Sequence, residues 1–196
     1  MTRRAGAILA AGLALAAIAG PAARANLVVN PTFVTGSFTP GWTTSGTSIQ
    51  IQTTPYAPPG DTCYASFTGG TDTLSQPIAT SAGQSYTLSF SVLSESAFFL
   101  DMFTVDFGGF TDTITGDQAG GTYHSEVFTV PGADIAGGST TLSFQGSNPS
   151  SLNWDLDNVS IVAQSSAAPE PPAAPLLAGA VLSMLVLRRR GRSAAV

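Results

Sequence analysis

Residues 85–92 alternate without a break. Tyr86, Leu88, Phe90 and Val92 fall on one side, and Thr87, Ser89 and Ser91 on the other. A period of two is that of a β-strand with one buried face. Similar segments lie at 26–30, 47–52, 63–68, 72–78, 102–107, 110–114, 122–130, 140–145 and 156–162. Clusters of Gly, Pro, Asn and Ser separate them at 55–61, 108–109, 116–121, 137–138 and 146–151. Such clusters are turn signals. No stretch between 26 and 163 has a helical apolar period of useful length. About nine or ten short strands over roughly 140 residues predict an all-β chain folded as a two-sheet sandwich.

The two ends break this pattern. Residues 1–25 read as a secretory signal peptide: Arg3 and Arg4, an apolar stretch over 5–20, then Ala23-Arg24-Ala25. The small-x-small triplet places cleavage between Ala25 and Asn26. At the other end stand Pro169-Glu170-Pro171, an apolar run over 173–187, and a basic cluster of Arg188, Arg189, Arg190 and Arg192. An apolar run enters the bilayer, and basic residues beyond it stay on the cytoplasmic side. At about 1.5 Å per residue the run covers roughly 22 Å, short of a hydrocarbon core of about 30 Å. A single apolar helix that halts in the membrane is expected, behaving as a processing signal rather than a permanent anchor. The chain therefore divides into a signal peptide (1–25), a sandwich domain (26–163), a linker (164–172) and a tail segment with a basic end (173–192).

Charge supports the division. All 7 basic Lys-or-Arg residues are arginines, and each lies in the leader or the tail. Of the 12 carboxylates only Glu170 lies outside the body, whose formal charge is thus near −11 rather than the −5 of the whole chain. Such a surface repels nucleic acid. It also keeps an exported protein soluble. The single cysteine, Cys63, has no internal disulfide partner, so the core must hold the fold; its alternating context predicts a buried thiol.

The tail's order of Pro-Glu-Pro, apolar run and arginine cluster resembles the PEP-CTERM sorting signal of Gram-negative bacteria. That resemblance implies processing near Pro169-Glu170-Pro171 by an integral-membrane exosortase, with the body released or passed to the envelope and its exopolysaccharide matrix. Three body segments carry a second likeness: Asn26-Leu27-Val28-Val29-Asn30-Pro31-Thr32-Phe33 followed by Gly41-Trp42, then Leu74-Ser75-Gln76-Pro77-Ile78 with Ala82 to Phe90, and finally Trp154-Asp155-Leu156-Asp157-Asn158-Val159. Together they resemble the galactose-binding-like jelly roll of many carbohydrate-binding modules. In that group a Glu near the first strand and the Asp of the closing motif commonly hold a structural calcium. Here only Asp157 matches, because Val34 stands at the Glu position and Pro31 replaces a Gly. Asp157 is therefore the implied calcium ligand, or else an acceptor of backbone N–H bonds.

Other chemistry is thinly marked. Trp42 and Trp154 are weak candidates for glycan stacking and stronger ones for the core. Phe98, Phe99, Phe103, Phe107 and Phe110 form an aromatic run whose rings belong mainly to the core, some facing outward if the strands alternate. Glu95 and Glu126 are the only body glutamates, and nothing places them together as a glycosidase requires. His124 has no G-x-S-x-G serine or zinc-type spacing around it. The expectation is a non-catalytic, exported envelope or extracellular-matrix protein of a Gram-negative bacterium, with no certain cofactor. Its expected partners are an exosortase, the membrane before processing, and exopolysaccharide. The alternative is a carbohydrate-binding module with a defined glycan site.

Overall fold

A computed structural model describes residues 24–53, 56–149 and 152–165. Ten strands form it: β1 (Thr43–Ser45), β2 (Ile49–Thr53), β3 (Cys63–Phe67), β4 (Thr71–Thr80), β5 (Tyr86–Ser94), β6 (Met102–Phe107), β7 (Phe110–Thr115), β8 (His124–Val130), β9 (Gly138–Ser147) and β10 (Trp154–Ala163). They make two antiparallel sheets, ordered β1-β4-β9-β6-β7 and β2-β3-β10-β5-β8. This is an all-β sandwich consistent with a jelly roll. Among the described residues no helix is long and apolar enough to cross a membrane. The leader up to residue 23, the Pro169-Glu170-Pro171 motif and the apolar tail lie outside the described residues.

The alternating segments become strands because one side of each meets the facing sheet. Tyr86, Leu88, Phe90 and Val92 of β5 all enter the core. Phe103 on β6 sits between the sheets. Its ring centroid is 5.2 Å from Phe67, 5.4 Å from Trp154 and 5.7 Å from Phe144. Burying such rings is the main favourable term in folding.

Residues 26–30 differ from the expectation of a strand. They run beside β10 and are held largely by side chains. Asn26 donates from Nδ2 to Val159 O (2.9 Å) and accepts at Oδ1 from Val28 N and Ile161 N. Gln76 brackets Val29, accepting from its N–H and donating to its carbonyl. A short segment fixed by amide side chains needs no ladder of its own. Strand β1 was not anticipated in the sequence. Its three residues are polar and exposed, so no buried face marks them.

Pro77 lies inside β4, where a missing N–H would cost a ladder bond. It is tolerated because β1 pairs only with Thr73, Leu74 and Ser75, which leaves that side of β4 open at Pro77. Gly108, in the β6–β7 turn, has φ +67°, and a Cβ there would meet Asp134 O at 2.4 Å. Only glycine suits this position.

Candidate functional site

The outer face of the β2-β3-β10-β5-β8 sheet departs from the usual pattern. In a sandwich that face is normally wet and polar. Here Tyr64 and Ser66 on β3, Leu93 on β5, and Asp155 and Asp157 on β10 all point away from the inner core, yet all are buried. Alternation explains the direction. Trp154 and Leu156 enter the core, so Asp155 and Asp157 between and after them face out. Register brings the face together. Asp155 stands opposite Ser66 on one side and Leu93 on the other, and Asp157 stands opposite Ser91.

Two loops flank the face. The segment 56–62 contributes Asp61, whose Oδ2 accepts from Asn158 Nδ2 at 3.1 Å. The segment 116–123 is stitched to β5 by Ser94 N donating to Ala119 O and Gly121 N donating to Ser94 O. It delivers Tyr123. Strand β10 bulges between Asp157 and Ser160, with Asn158 at φ +54°. Bulges re-aim side chains, often beside functional sites. Here Asn158 N donates to Asp157 Oδ1 (2.8 Å), and Val159 N reaches Pro31 O.

The polar atoms on this face are largely unmatched. Asp155 Oδ1 and Oδ2, Asp157 Oδ2, Ser66 Oγ and Tyr123 Oη are buried without a hydrogen-bond partner. Both aspartates are completely buried. Buried polar groups are nearly always paired, so a cluster of five such atoms marks a place where partners are missing. Beyond the bulge, Ser89, Ser91, Ser125, Glu126, Val127 and Asn158 line an open groove of about 310 Å³. Small serines on the middle strands leave this trough.

Burial drives the electrostatics. It pushes the Asp155 carboxyl up to about 7; the adjacent Ser66 hydroxyl opposes the rise and Glu95 adds to it. Asp157 is likewise raised to about 7 by burial, against the Asn158 backbone N–H and with help from Asp61. Tyr64 is pushed up to about 12, first by burial and then by Asp155 and Glu95. Tyr123 rises too, from burial and then from Asp155 and Asp157. Perturbed groups gathered in one place are a mark of functional sites.

The residues singled out in the sequence are distributed differently. Trp42 and Trp154 are both core residues, 4% and 0% exposed, so neither ring is offered to a sugar. Trp42 packs its ring against Phe33 and Phe144 instead. Asp157 is in the cluster on the sheet face, and its Oδ1 accepts a backbone N–H. Among the described residues no three His, Cys, Asp or Glu side chains converge as a metal site. Of the phenylalanine run, Phe103 and Phe107 are core, whereas Phe98 and Phe99 are exposed on the β5–β6 loop. Glu95 joins the cluster; Glu126 stands on β8 opposite Phe90. Cys63 is a buried free thiol. Tyr64, Asp155 and Tyr123 escaped the sequence reading. The alternation Trp154-Asp155-Leu156-Asp157 did hold the signal for two carboxylates on one face.

No protein-family model matches this chain, and no curated protein sequence matches it. Solved structures do match. TmCBM61, solved in complex with β-1,4-galactotriose, aligns over 71% of this chain and 99% of its own, with 18% identity and a TM-score of 0.56. The CBM22-1 xylan-binding domain of Paenibacillus barcinonensis Xyn10C aligns over 76% and 100%, with 17% identity and a TM-score of 0.52. An arabinose-bound MgGH51 α-L-arabinofuranosidase aligns over 71% of this chain but only 26% of its own, with 12% identity and a TM-score of 0.56. At these identities the likeness is one of fold.

Proposed function

We propose that this sandwich is a carbohydrate-binding module whose site is the open groove lined by Ser89, Ser91, Ser125, Val127 and Asn158 on the β2-β3-β10-β5-β8 sheet. One observation carries the reading. An open groove of about 310 Å³ runs over the sheet between β5, β8 and the β10 bulge, in a fold shared with glycan-binding modules. A sugar presents a dense array of hydroxyls that donate and accept. The hydroxyls of Ser89, Ser91 and Ser125 would pair with it, and the exposed Val127 would supply apolar surface for its C–H faces. The fold shared with TmCBM61 and the xylan-binding domain supports this reading.

Binding is favoured over catalysis by the aspartates themselves. Glycoside hydrolysis needs one carboxyl held as acid and one as base, in environments that split their pKa values. Asp155 and Asp157 are two residues apart on one strand, about 7 Å at the usual rise. Both are shifted the same way, to about 7. A hydrolase is the second reading, on the strength of that spacing, and turnover of a bound oligosaccharide would establish it. The test of the first reading is calorimetric titration of the full chain with neutral oligosaccharides. Saturable binding that Ser91→Leu, which fills the groove, and Val127→Ala each weaken at least tenfold supports the site. Unchanged affinity in both variants refutes it.

The chain is also proposed to be exported and sorted through its PEP-CTERM-like tail to the envelope or matrix. Asn26 is stitched to Val159 and Ile161, and the described chain leaves β10 after Ala163. The Asn26 end thus lies about 13–20 Å, and the Ala163 end about 25 Å, along β10 from Asp155. A tail attached there leaves the sugar face free. Intact mass from hosts with and without an exosortase tests this. A species running from Asn26 to about Pro171, lost without the enzyme, supports it. An unprocessed tail in both hosts refutes it.

A further inference from the structure

One amide side chain lines the groove beside its serines, and strand alternation alone would not put it there. Along β10, Trp154 and Leu156 enter the core, with Asp155 and Asp157 facing out. Unbroken alternation would send Asn158 inward. Instead Val159 and Ile161 are the next core residues. The bulge between Asp157 and Ser160 thus inserts one residue and turns Asn158 to the outer face. There it lines the groove with Ser89, Ser91 and Ser125. The serine hydroxyls turn freely to donate or accept, whereas an amide oxygen only accepts.

The amide is held from both sides. Asn158 N donates to Asp157 Oδ1 at 2.8 Å, and its φ of +54° is one that asparagine tolerates better than most residues. The next peptide is clamped by the first segment of the domain: Val159 N donates to Pro31 O at 3.0 Å, and Val159 O accepts from Asn26 Nδ2 at 2.9 Å. The side chain is held by a distant loop, because Nδ2 donates to Asp61 Oδ2 at 3.1 Å across 97 residues of sequence. With Nδ2 given to Asp61, Oδ1 is the polar atom of this side chain left for the groove. Among the described residues it accepts no hydrogen bond from the protein. Backbone conformation alone does not account for this arrangement. Glycine would serve the same φ, and the bond to Asp61 adds nothing to it.

We infer that Asn158 is a specificity-determining residue of the groove: its Oδ1 accepts a hydrogen bond from one ring hydroxyl of the bound glycan, and Asp61 is the positioning residue that holds the amide for it. This rests on the glycan-binding reading of the groove. The ligand class follows from the acceptor. The sugar must keep a free hydroxyl at that place. Removing the hydroxyl, or capping it as a methyl ether or acetyl ester, leaves Oδ1 without a donor. A site built to bond a hydroxyl rejects the analogue that lacks it.

The experiment titrates the full chain with galactan, xylan, glucan and mannan oligosaccharides. The monodeoxy analogues of the one that binds follow, in wild type and in Asn158→Gly. Glycine suits this φ and keeps the N–H that bonds Asp157, so the melting temperature should hold. In wild type, loss of one particular hydroxyl should weaken binding about tenfold. Asn158→Gly should weaken the parent oligosaccharide by a similar factor and become indifferent to that hydroxyl, the coupling a double-mutant cycle reads. Asp61→Ala frees the amide to turn and should weaken binding about threefold. Asp61→Asn, which still offers an oxygen to Nδ2, should restore it. Should Asn158→Gly melt below wild type, the same deoxy series read in Asp61→Ala and Asp61→Asn decides. Unchanged affinity in Asn158→Gly, or a deoxy penalty equal in both proteins at every position, overturns the inference. So does wild-type binding in Asp61→Ala. Binding that Ser91→Leu weakens and Asn158→Gly does not leaves the glycan reading in place without this residue. Binding of no oligosaccharide overturns the glycan reading itself.

Discussion

Replacing Asp155 by Asn should stabilise the protein, and the amount should depend on pH. Asp155 is completely buried and both its carboxylate oxygens lack partners. Its pKa rises from 3.8 to about 7. Because the folded-state value is the higher one, the folded chain holds a proton that the unfolded chain has released between about pH 4 and 7. Stability contributed at this site therefore falls as pH rises through that window and levels off above it. Three units correspond to about 4 kcal/mol at most. Asparagine is nearly isosteric and does not ionise, so it escapes this cost. At pH 8 Asp155→Asn should raise the melting temperature relative to wild type, by up to about 10 °C for a domain of this size. At pH 4 the two proteins should melt within a few degrees of each other. Differential scanning calorimetry at both pH values decides it. A variant less stable than wild type at pH 8 would refute the reasoning, because Asp155 would then be paired and stabilising.

Other outcomes follow from the packing. Phe103→Ala removes the ring shared by Phe67, Phe144 and Trp154; a loss of about 3–5 kcal/mol in urea unfolding is expected, and a loss under 1 kcal/mol would mean the centre of the sandwich collapses freely. Asn26→Ala deletes two hydrogen bonds that hold the first segment to β10 and one within the segment; it should cost about 1–3 kcal/mol and raise amide exchange at Leu27 and Val28, while a silent effect would show that Gln76 and the backbone bonds of Leu27 and Pro31 secure the segment.

Much of the fold could be read from the chain because a strand's period of two is a local property. The alternation in residues 85–92 reappears as β5, and the Trp154-Asp155-Leu156-Asp157 pattern states which side chains face inward. Composition likewise placed every arginine outside the sandwich. Local pattern could not say which outward face would be covered. Asp155 and Asp157 look in the sequence like ordinary exposed positions of an edge or surface strand. They become buried because β10 sits in the middle of its sheet, between β3 and β5, and because the loops carrying Asp61 and Tyr123 close in from distant parts of the chain. The tryptophans show the converse: their chemistry suggested sugar stacking, and the facing sheet claimed them for the core. The sequence by itself determined most of the strands, though not β1 or the side-chain-held segment 26–30, and within them which way each side chain points. Only the tertiary structure decided which of those sides is dry, since burial depends on contacts between segments up to a hundred residues apart that no local period records.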